Sequence, residues 1–142
     1  MSHRVIQWAT GNVGKYALRA IIEHGDLELV GVFAYNPEKD GRDAGELLGD
    51  SPIGVLATTD LDAILRLDAD CVIYAPLTLN LDEVCRILES GKNLISVPGL
   101  LYPPTLGEQV VDRLEAACRR GNSSVHGTGI NPGWVGDVLP LT

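Results

Sequence analysis

The residues Ala9-Thr10-Gly11-Asn12-Val13-Gly14-Lys15-Tyr16-Ala17 have the spacing GxGxxGxxA, with Ala at the first position. A turn of this kind, set between a strand and a helix, points the first backbone N–H groups of the helix at whatever lies in front of it. Those donors have no partner inside the helix, and the helix dipole adds partial positive charge at the same place. Gly11 would let a pyrophosphate approach the backbone, and Gly14 would let the helix pack close on the strand. Thr10, Gly11, Asn12, Val13 and Gly14 are therefore the candidate phosphate-binding residues of a dinucleotide site. A tight turn that binds nothing could use the same glycines. The position of the segment, after one apolar run and before a helical stripe, favours the dinucleotide.

The end of the second apolar run bears on which dinucleotide is taken. A site for NAD usually carries Asp or Glu about 20 residues beyond the glycines, to hold the ribose 2′-hydroxyl. Here the stretch is Phe33-Ala34-Tyr35-Asn36-Pro37, with Glu38, Lys39 and Arg42 following. The missing carboxylate and the two nearby cations favour a 2′-phosphate, so NADP(H) is expected over NAD(H), with dual use possible. Asn36 and Lys39 join the candidate cofactor-binding residues. Ligands of open α/β sheets sit outside the carboxyl ends of the strands, which adds Pro76, Leu77 and Thr78. Pro98-Gly99 and Gly127-Thr128-Gly129 have the same small, backbone-rich composition.

The elements that must position these residues are short β-rich runs alternating with amphipathic helical stretches. Val5–Ala9 reads as a strand, and Asn12–His24 as a helix with Val13, Ala17, Leu18, Ile21 and Ile22 on one face and Gly25 as its stop. Leu27–Tyr35 is a buried strand. Residues 37–57 read as a short helix near Ala44–Leu48 and an extended piece near Ile53–Leu56, and Thr59-Asp60 caps a brief helix whose inner face is Leu61, Ile64 and Leu65. Cys71–Ala75 is a strand covered on both faces. Asn80 caps a helix with Leu81, Val84, Cys85 and Leu88 at i, i+3, i+4 and i+7, closed by Gly91. Asn93–Val97 is the next strand. Thr105-Leu106-Gly107-Glu108 has the capping-box spacing, so a helix burying Leu106, Val110, Leu114 and Cys118 is expected from there to Gly121, before a last strand at Ser124–Thr128. Strands alternating with helices predict an α/β fold, a doubly wound parallel sheet with right-handed crossovers.

Composition agrees with one such domain. The 142 residues are 45% hydrophobic and 21% charged, near the average for globular chains, which disfavours disorder, coiled coil and collagen. The net charge of −8 argues against nucleic acid as a partner, since a binder needs a basic face. Residues 1–35 are balanced, with Glu23, Asp26 and Glu28 against Arg4, Lys15 and Arg19, so an anion site is expected in the first third. Cys71, Cys85 and Cys118 fit neither a metal spacing nor a disulfide framework. They are read as reduced, buried small hydrophobes of a cytoplasmic protein. No apolar window is long enough to span a membrane, and Met-Ser-His-Arg does not open a signal peptide.

Val5–Gly14, Asp43-Ala44-Gly45-Glu46, Ser90-Gly91-Lys92-Asn93 and Gly127-Thr128-Gly129-Ile130-Asn131-Pro132-Gly133 together resemble the dihydrodipicolinate-reductase-like proteins, close to 2,4-diaminopentanoate dehydrogenases and related amine dehydrogenases. The resemblance runs over essentially the whole chain, with its motifs in the family's order. It implies a Rossmann-type NAD(P)-binding domain over residues 1–130. Residues 131–142 would begin the connection to a second domain that completes the substrate site and the oligomer interface, so a homo-oligomer is expected at full length. Thr10–Gly14 would hold the pyrophosphate. Ala9 stands where close relatives have the first Gly, a change the small side chain should tolerate. Amine-dehydrogenase relatives place a catalytic Glu just after the strand that here is Asn93–Val97, whereas this chain reads Val97-Pro98-Gly99-Leu100-Leu101-Tyr102. With no carboxylate there, the resemblance does not carry that chemistry over.

No catalytic set stands out otherwise. His126 in the last strand, Tyr102 before Pro103-Pro104, and Asp137 are better explained by polarity, packing and capping. The leading expectation is the cofactor domain of an NAD(P)H-dependent oxidoreductase acting on a small imine, amine or unsaturated substrate. By itself the domain would be inactive. The alternative is a non-catalytic nucleotide-binding module, such as a redox sensor or a coenzyme A binder.

Overall fold

The computed structural model describes residues 1–129, so the expectations for Asn131-Pro132-Gly133, for Asp137 and for residues 131–142 lie outside the described residues. The chain divides into two compact units, residues 1–76 and 77–142.

In the first unit β1 (His3–Trp8) leads into α1 (Asn12–Glu23), and β2 (Leu27–Phe33) returns parallel to β1 with Trp8 opposite Phe33. A single 3-10 turn (Pro37–Lys39), α2 (Ala44–Leu47) and the two-residue β3 (Ala57–Thr58) follow. Next come α3 (Leu61–Arg66) and β4 (Cys71–Tyr74). β3 pairs with β2, β2 with β1, and β1 with β4, all in parallel. The chain thus leaves β1 to one side through α1 and returns to its other side through α3, which puts the reversal of strand order between β1 and β4.

Helices cover both faces. Leu18 of α1 packs with Val32, Ala44, Leu47 and Ala57 on one side. Gly31, the neighbour of Val32, points the opposite way along the strand, and a Cβ there would lie 2.6 Å from Leu67 Cδ1 and 2.7 Å from Ile64 Cδ1. α3 rests on bare backbone at that position.

Asp43 closes the segment after the 3-10 turn. Its carboxylate accepts from Gly45 N at 2.7 Å, Ile53 N at 2.9 Å and Gly54 N at 2.8 Å, so one side chain pins both ends of a surface loop. These donors, Ile53 foremost, hold its pKa below the ordinary carboxylate value. A depressed folded-state pKa contributes stability above the unfolded value and loses it as pH falls through the folded one, here below about pH 4. Asp43→Asn is expected to melt lower than the parent at neutral pH and to show a shallower loss below pH 4 in an acid series of thermal melts. An unchanged acid limb would remove Asp43 from that role.

The second unit contains α4 (Leu81–Glu89), β5 (Asn93–Ser96), a 3-10 turn (Pro103–Leu106), α5 (Glu108–Gly121) and β6 (Val125–Gly127), with β5 and β6 parallel. Val84, Cys85, Ile87 and Leu88 of α4 are buried. The two helices meet backbone to backbone, since a Cβ on Gly121 would stand 1.8 Å from Leu88 O. Asn80 and, in the first unit, Asp60 cap their helices as expected, each accepting from two backbone N–H groups.

Several sequence expectations need correction. The helix anticipated from Thr105 begins at Glu108, because Gly107 takes φ +97° and breaks the chain direction. Thr105 Oγ1 donates instead to Tyr102 O, and Leu106 is 40% exposed. α1 stops at Glu23 with His24 as its extended cap, and Gly25 does not adopt a left-handed conformation. Val13 is 54% exposed, so the buried stripe of α1 runs through Gly14, Leu18 and Ile21. The cysteines are free, but only Cys85 is buried, and Cys71 and Cys118 are half-buried. Burial pushes the thiols of Cys85 and Cys118 up, away from thiolate chemistry.

Candidate functional site

Strand ends and one helix start converge in the first unit. Trp8 lies opposite both Phe33 and Tyr74, so β1, β2 and β4 end level with one another. Ala9 N donates to Phe33 O at 2.9 Å and Ala75 N donates to Trp8 O at 3.0 Å, which ties the turn after β1 to both neighbouring strands. Below the turn the aromatic side chains form a floor. Trp8 stacks on Phe33 at 4.3 Å, Phe33 meets Tyr35 edge-on at 5.1 Å, and Trp8 Nε1 donates to Tyr35 Oη at 3.2 Å.

The turn itself is left-handed at Ala9, with φ +74°. Gly11 is the N-cap of α1, and no side chain caps it. The first helical bond that closes is Lys15 N to Gly11 O, at 2.9 Å. Among the described residues, no acceptor takes the N–H groups of Asn12, Val13 or Gly14. The two glycines differ in what surrounds them. A Cβ on Gly11 would meet nothing within 4 Å, whereas one on Gly14 would lie 2.2 Å from Ala9 O and 2.8 Å from Ala9 C. Gly11 fronts open space, and Gly14 is the contact between helix and turn.

Lys39 reaches this turn from 29 residues away. Its Nζ donates to Thr10 Oγ1 at 2.9 Å and to Thr10 O at 3.1 Å, leaving a third ammonium donor over. Burial, then the charges of Lys15 and Arg42, lower its pKa from the ordinary lysine value. No carboxylate pairs with Lys39, Lys15 or Arg42 among the described residues. Three cations therefore gather at a helix N-terminus in a chain of net charge −8, an arrangement that suits a multiply charged anion.

The other candidates are placed as follows. Asn36 is at the surface and accepts from Glu38 N at 3.0 Å, so its oxygen caps the 3-10 turn that carries Lys39 toward Thr10. Pro76 follows the carboxyl end of β4 and is half-buried. In the second unit Leu77 is 97% exposed and Thr78 is exposed. His126 is exposed on β6, and Tyr102 is exposed ahead of the 3-10 turn. The described residues contain no group of three His, Cys, Asp or Glu able to hold a metal, and no helix long and apolar enough to cross a membrane. Two participants escaped the sequence reading. Tyr35 hydrogen-bonds a buried indole, and Gln7 lies fully buried beneath the turn, where the one polar letter in the apolar run Val5–Ala9 was its only trace.

Residues 5–96 match the family described as Dihydrodipicolinate reductase, N-terminus. The chain belongs to that family. An amine dehydrogenase of Streptomyces virginiae is 40% identical over 96% of the chain, which spans 40% of that protein. The solved amine dehydrogenase of Mycobacterium smegmatis superposes with a TM-score of 0.81 at 23% identity, over 91% of this chain and 40% of its own. A 3-ketoreductase from Actinomadura kijaniata, solved in complex with NADP, gives a TM-score of 0.66 at 20% identity over 90% of this chain and 39% of its own. The chain thus spans about 40% of the length of each of these three proteins. The likeness shows the fold, which is doubly wound, parallel and Rossmann-type. The family match and the 40% identical relative place the chain among the N-terminal regions of dihydrodipicolinate reductase-like dehydrogenases and reductases.

Proposed function

We propose that the chain is the cofactor half of an NAD(P)H-dependent oxidoreductase and that it takes NADP(H) in preference to NAD(H). The observation that carries this reading is the three N–H groups of Asn12, Val13 and Gly14, which have no acceptor among the described residues, behind an open Gly11, with Lys39, Lys15 and Arg42 nearby and no carboxylate paired with those cations among the described residues. The residues fit the cofactor's phosphates. The start of α1 and Gly11 would take the pyrophosphate, Thr10 would be held in place by Lys39, and the free Lys39 donor with Arg42 would meet a 2′-phosphate. When bound, the nicotinamide supplies or accepts a hydride. The chain's contribution is to fix the dinucleotide at the strand-order reversal between β1 and β4 and to neutralise its phosphates.

Residues 1–130 are read as the dinucleotide-binding domain and 131–142 as the start of a connection to a second domain, in keeping with the 40% span of the amine dehydrogenase. That second domain would hold the small imine, amine or unsaturated substrate and would form the homo-oligomer contact.

Titration of the 142-residue chain with NADPH and NADH, followed by energy transfer from tryptophan to the reduced nicotinamide, tests cofactor choice. Lys39→Ala is expected to weaken NADPH about tenfold or more, the worth of one charge-assisted hydrogen bond, and to weaken NADH by a clearly smaller factor, since NADH loses only the hold on Thr10. Tighter NADH than NADPH in the parent, or equal losses for both in the variant, would overturn the NADP(H) assignment. NADPH oxidation by the full-length gene product with a panel of cyclic imines tests the reaction class. Binding without turnover on any imine, amine or unsaturated ring would favour a sensor module.

A further inference from the structure

Gln7 is an amide in the middle of β1 with 0% of its surface exposed, between the fully buried Ile6 and Trp8. Its Nε2 reaches forward to donate to Ala9 O at 2.9 Å and to Trp8 O at 3.3 Å. Its Oε1 has no hydrogen-bond partner among the described residues. An apolar side chain of the same length would leave no orphaned acceptor on this side chain, so packing alone does not call for a glutamine here. The bond to Ala9 supplies the reason for an amide.

Ala9 sits at φ +74°, a conformation an alanine rarely adopts unless its surroundings impose it. Two tethers impose it. On the amino side Ala9 N is bonded to Phe33 O, and on the carbonyl side Ala9 O is bonded to Gln7 Nε2. The same carbonyl lies 2.2 Å from where a Cβ of Gly14 would stand, so it is wedged between the Gln7 amide and the first turn of α1. The direction of that carbonyl therefore sets how α1 leaves the strand and where the free N–H groups of Asn12, Val13 and Gly14 point.

We infer that Gln7 is a positioning residue for cofactor binding: its amide holds Ala9 left-handed, and so keeps the start of α1 turned toward the pyrophosphate. The inference rests on the cofactor site proposed above. Without the Gln7 donor, Ala9 relaxes toward negative φ, the Ala9–Thr10 peptide rotates, and only a fraction of molecules present the phosphate-receiving turn. Apparent affinity falls by that fraction.

The test uses Gln7→Met, Ala9→Gly and the double variant in the 142-residue chain, with NADPH affinity and thermal melting measured for each. Gln7→Met is expected to weaken NADPH about tenfold, the result of leaving about a tenth of molecules competent, with little change in melting temperature because one orphaned acceptor replaces another. Ala9→Gly alone is the reference that separates the effect of glycine at this position from that of losing the Gln7 amide. Since glycine takes a positive φ without the alanine penalty, the double variant should recover affinity to within about twofold of the parent, roughly half its molecules being competent. Unchanged affinity in Gln7→Met overturns the inference, and so does a loss that Ala9→Gly fails to rescue. If Gln7→Met does not fold, the double variant decides: folded with parental affinity supports the inference, and folded but weak, or unfolded, overturns it. If the parent binds neither dinucleotide, the proposed function fails first. An NMR determination of the Ala9 φ in the ligand-free chain then judges Gln7 alone, a positive φ retained in Gln7→Met counting against it.

Discussion

Gly11→Val is expected to abolish dinucleotide binding while leaving the domain folded. Gly11 has φ −73° and ψ −162°, ordinary extended backbone open to any residue, and an added Cβ would meet nothing within 4 Å. The folding cost is confined to a poorer N-cap, at most about 1 kcal/mol. Among the described residues, the open space beside Gly11 lies in front of the N–H groups of Asn12, Val13 and Gly14, which find no acceptor there. An isopropyl group there keeps a pyrophosphate from reaching donors whose charge-assisted bonds are worth about 1.5–3 kcal/mol each. Losing two of them weakens binding more than about a hundredfold. NADPH titration and thermal melting of the same sample check both halves. Parental affinity would remove the glycine turn from the site, and an unfolded variant would show that the open face is occupied in a way the structure does not contain.

The parts of this molecule that were legible in the sequence are those whose cause is local. The stripe Leu81, Val84, Cys85 and Leu88 needs only helical periodicity, and Val84, Cys85 and Leu88 are buried in α4. Asn80 and Asp60 cap helices because an acceptor one residue ahead of an N-terminus finds its donors within three residues. The glycine turn was legible for the same reason, its geometry being set by the strand before it and the helix after it. What was hidden depends on distance or on a backbone angle. Nothing near Lys39 in sequence says that its ammonium lands on Thr10, 29 residues away. The Thr105 box matched in spelling, but Gly107 at φ +97° turned the chain before a helix could begin at Leu106. Val13 fits an apolar stripe by period, yet it faces out at the mouth of the turn because Gly14 takes the contact with Ala9. Gln7 shows the limit best. A polar residue in a buried strand signals that something must be satisfied, but not that the partner is a left-handed carbonyl two residues ahead.

The second large effect falls on Gly14, and its sign is contested by two forces. In an ordinary helix Gly→Ala stabilises by about 0.5–1 kcal/mol, because alanine loses less freedom on folding. At position 14 the new methyl carbon would stand 2.2 Å from Ala9 O and 2.8 Å from Ala9 C, both backbone atoms. That carbonyl cannot retreat cheaply, since Gln7 Nε2 already lies against it at 2.9 Å. Either α1 lifts off β1, exposing the contact between Leu18 and Val32, or the turn at Ala9 opens. Overpacking of this kind costs about 1–3 kcal/mol and sometimes more, so the clash outweighs the helical gain. Gly14→Ala is expected to lower stability in urea denaturation. Gly25→Ala is the control, with nothing within 4 Å of its added carbon and no left-handed backbone to protect, and it should be neutral or slightly stabilising. The two glycines of the turn then fail in opposite ways: Gly11→Val loses ligand and keeps the fold, whereas Gly14→Ala loses fold first and ligand as a consequence. A Gly14→Ala chain as stable as its parent would mean that α1 does not rest on the Ala9 carbonyl in solution. The close helix–turn contact, and with it the aim of the α1 donors, would then have to be abandoned.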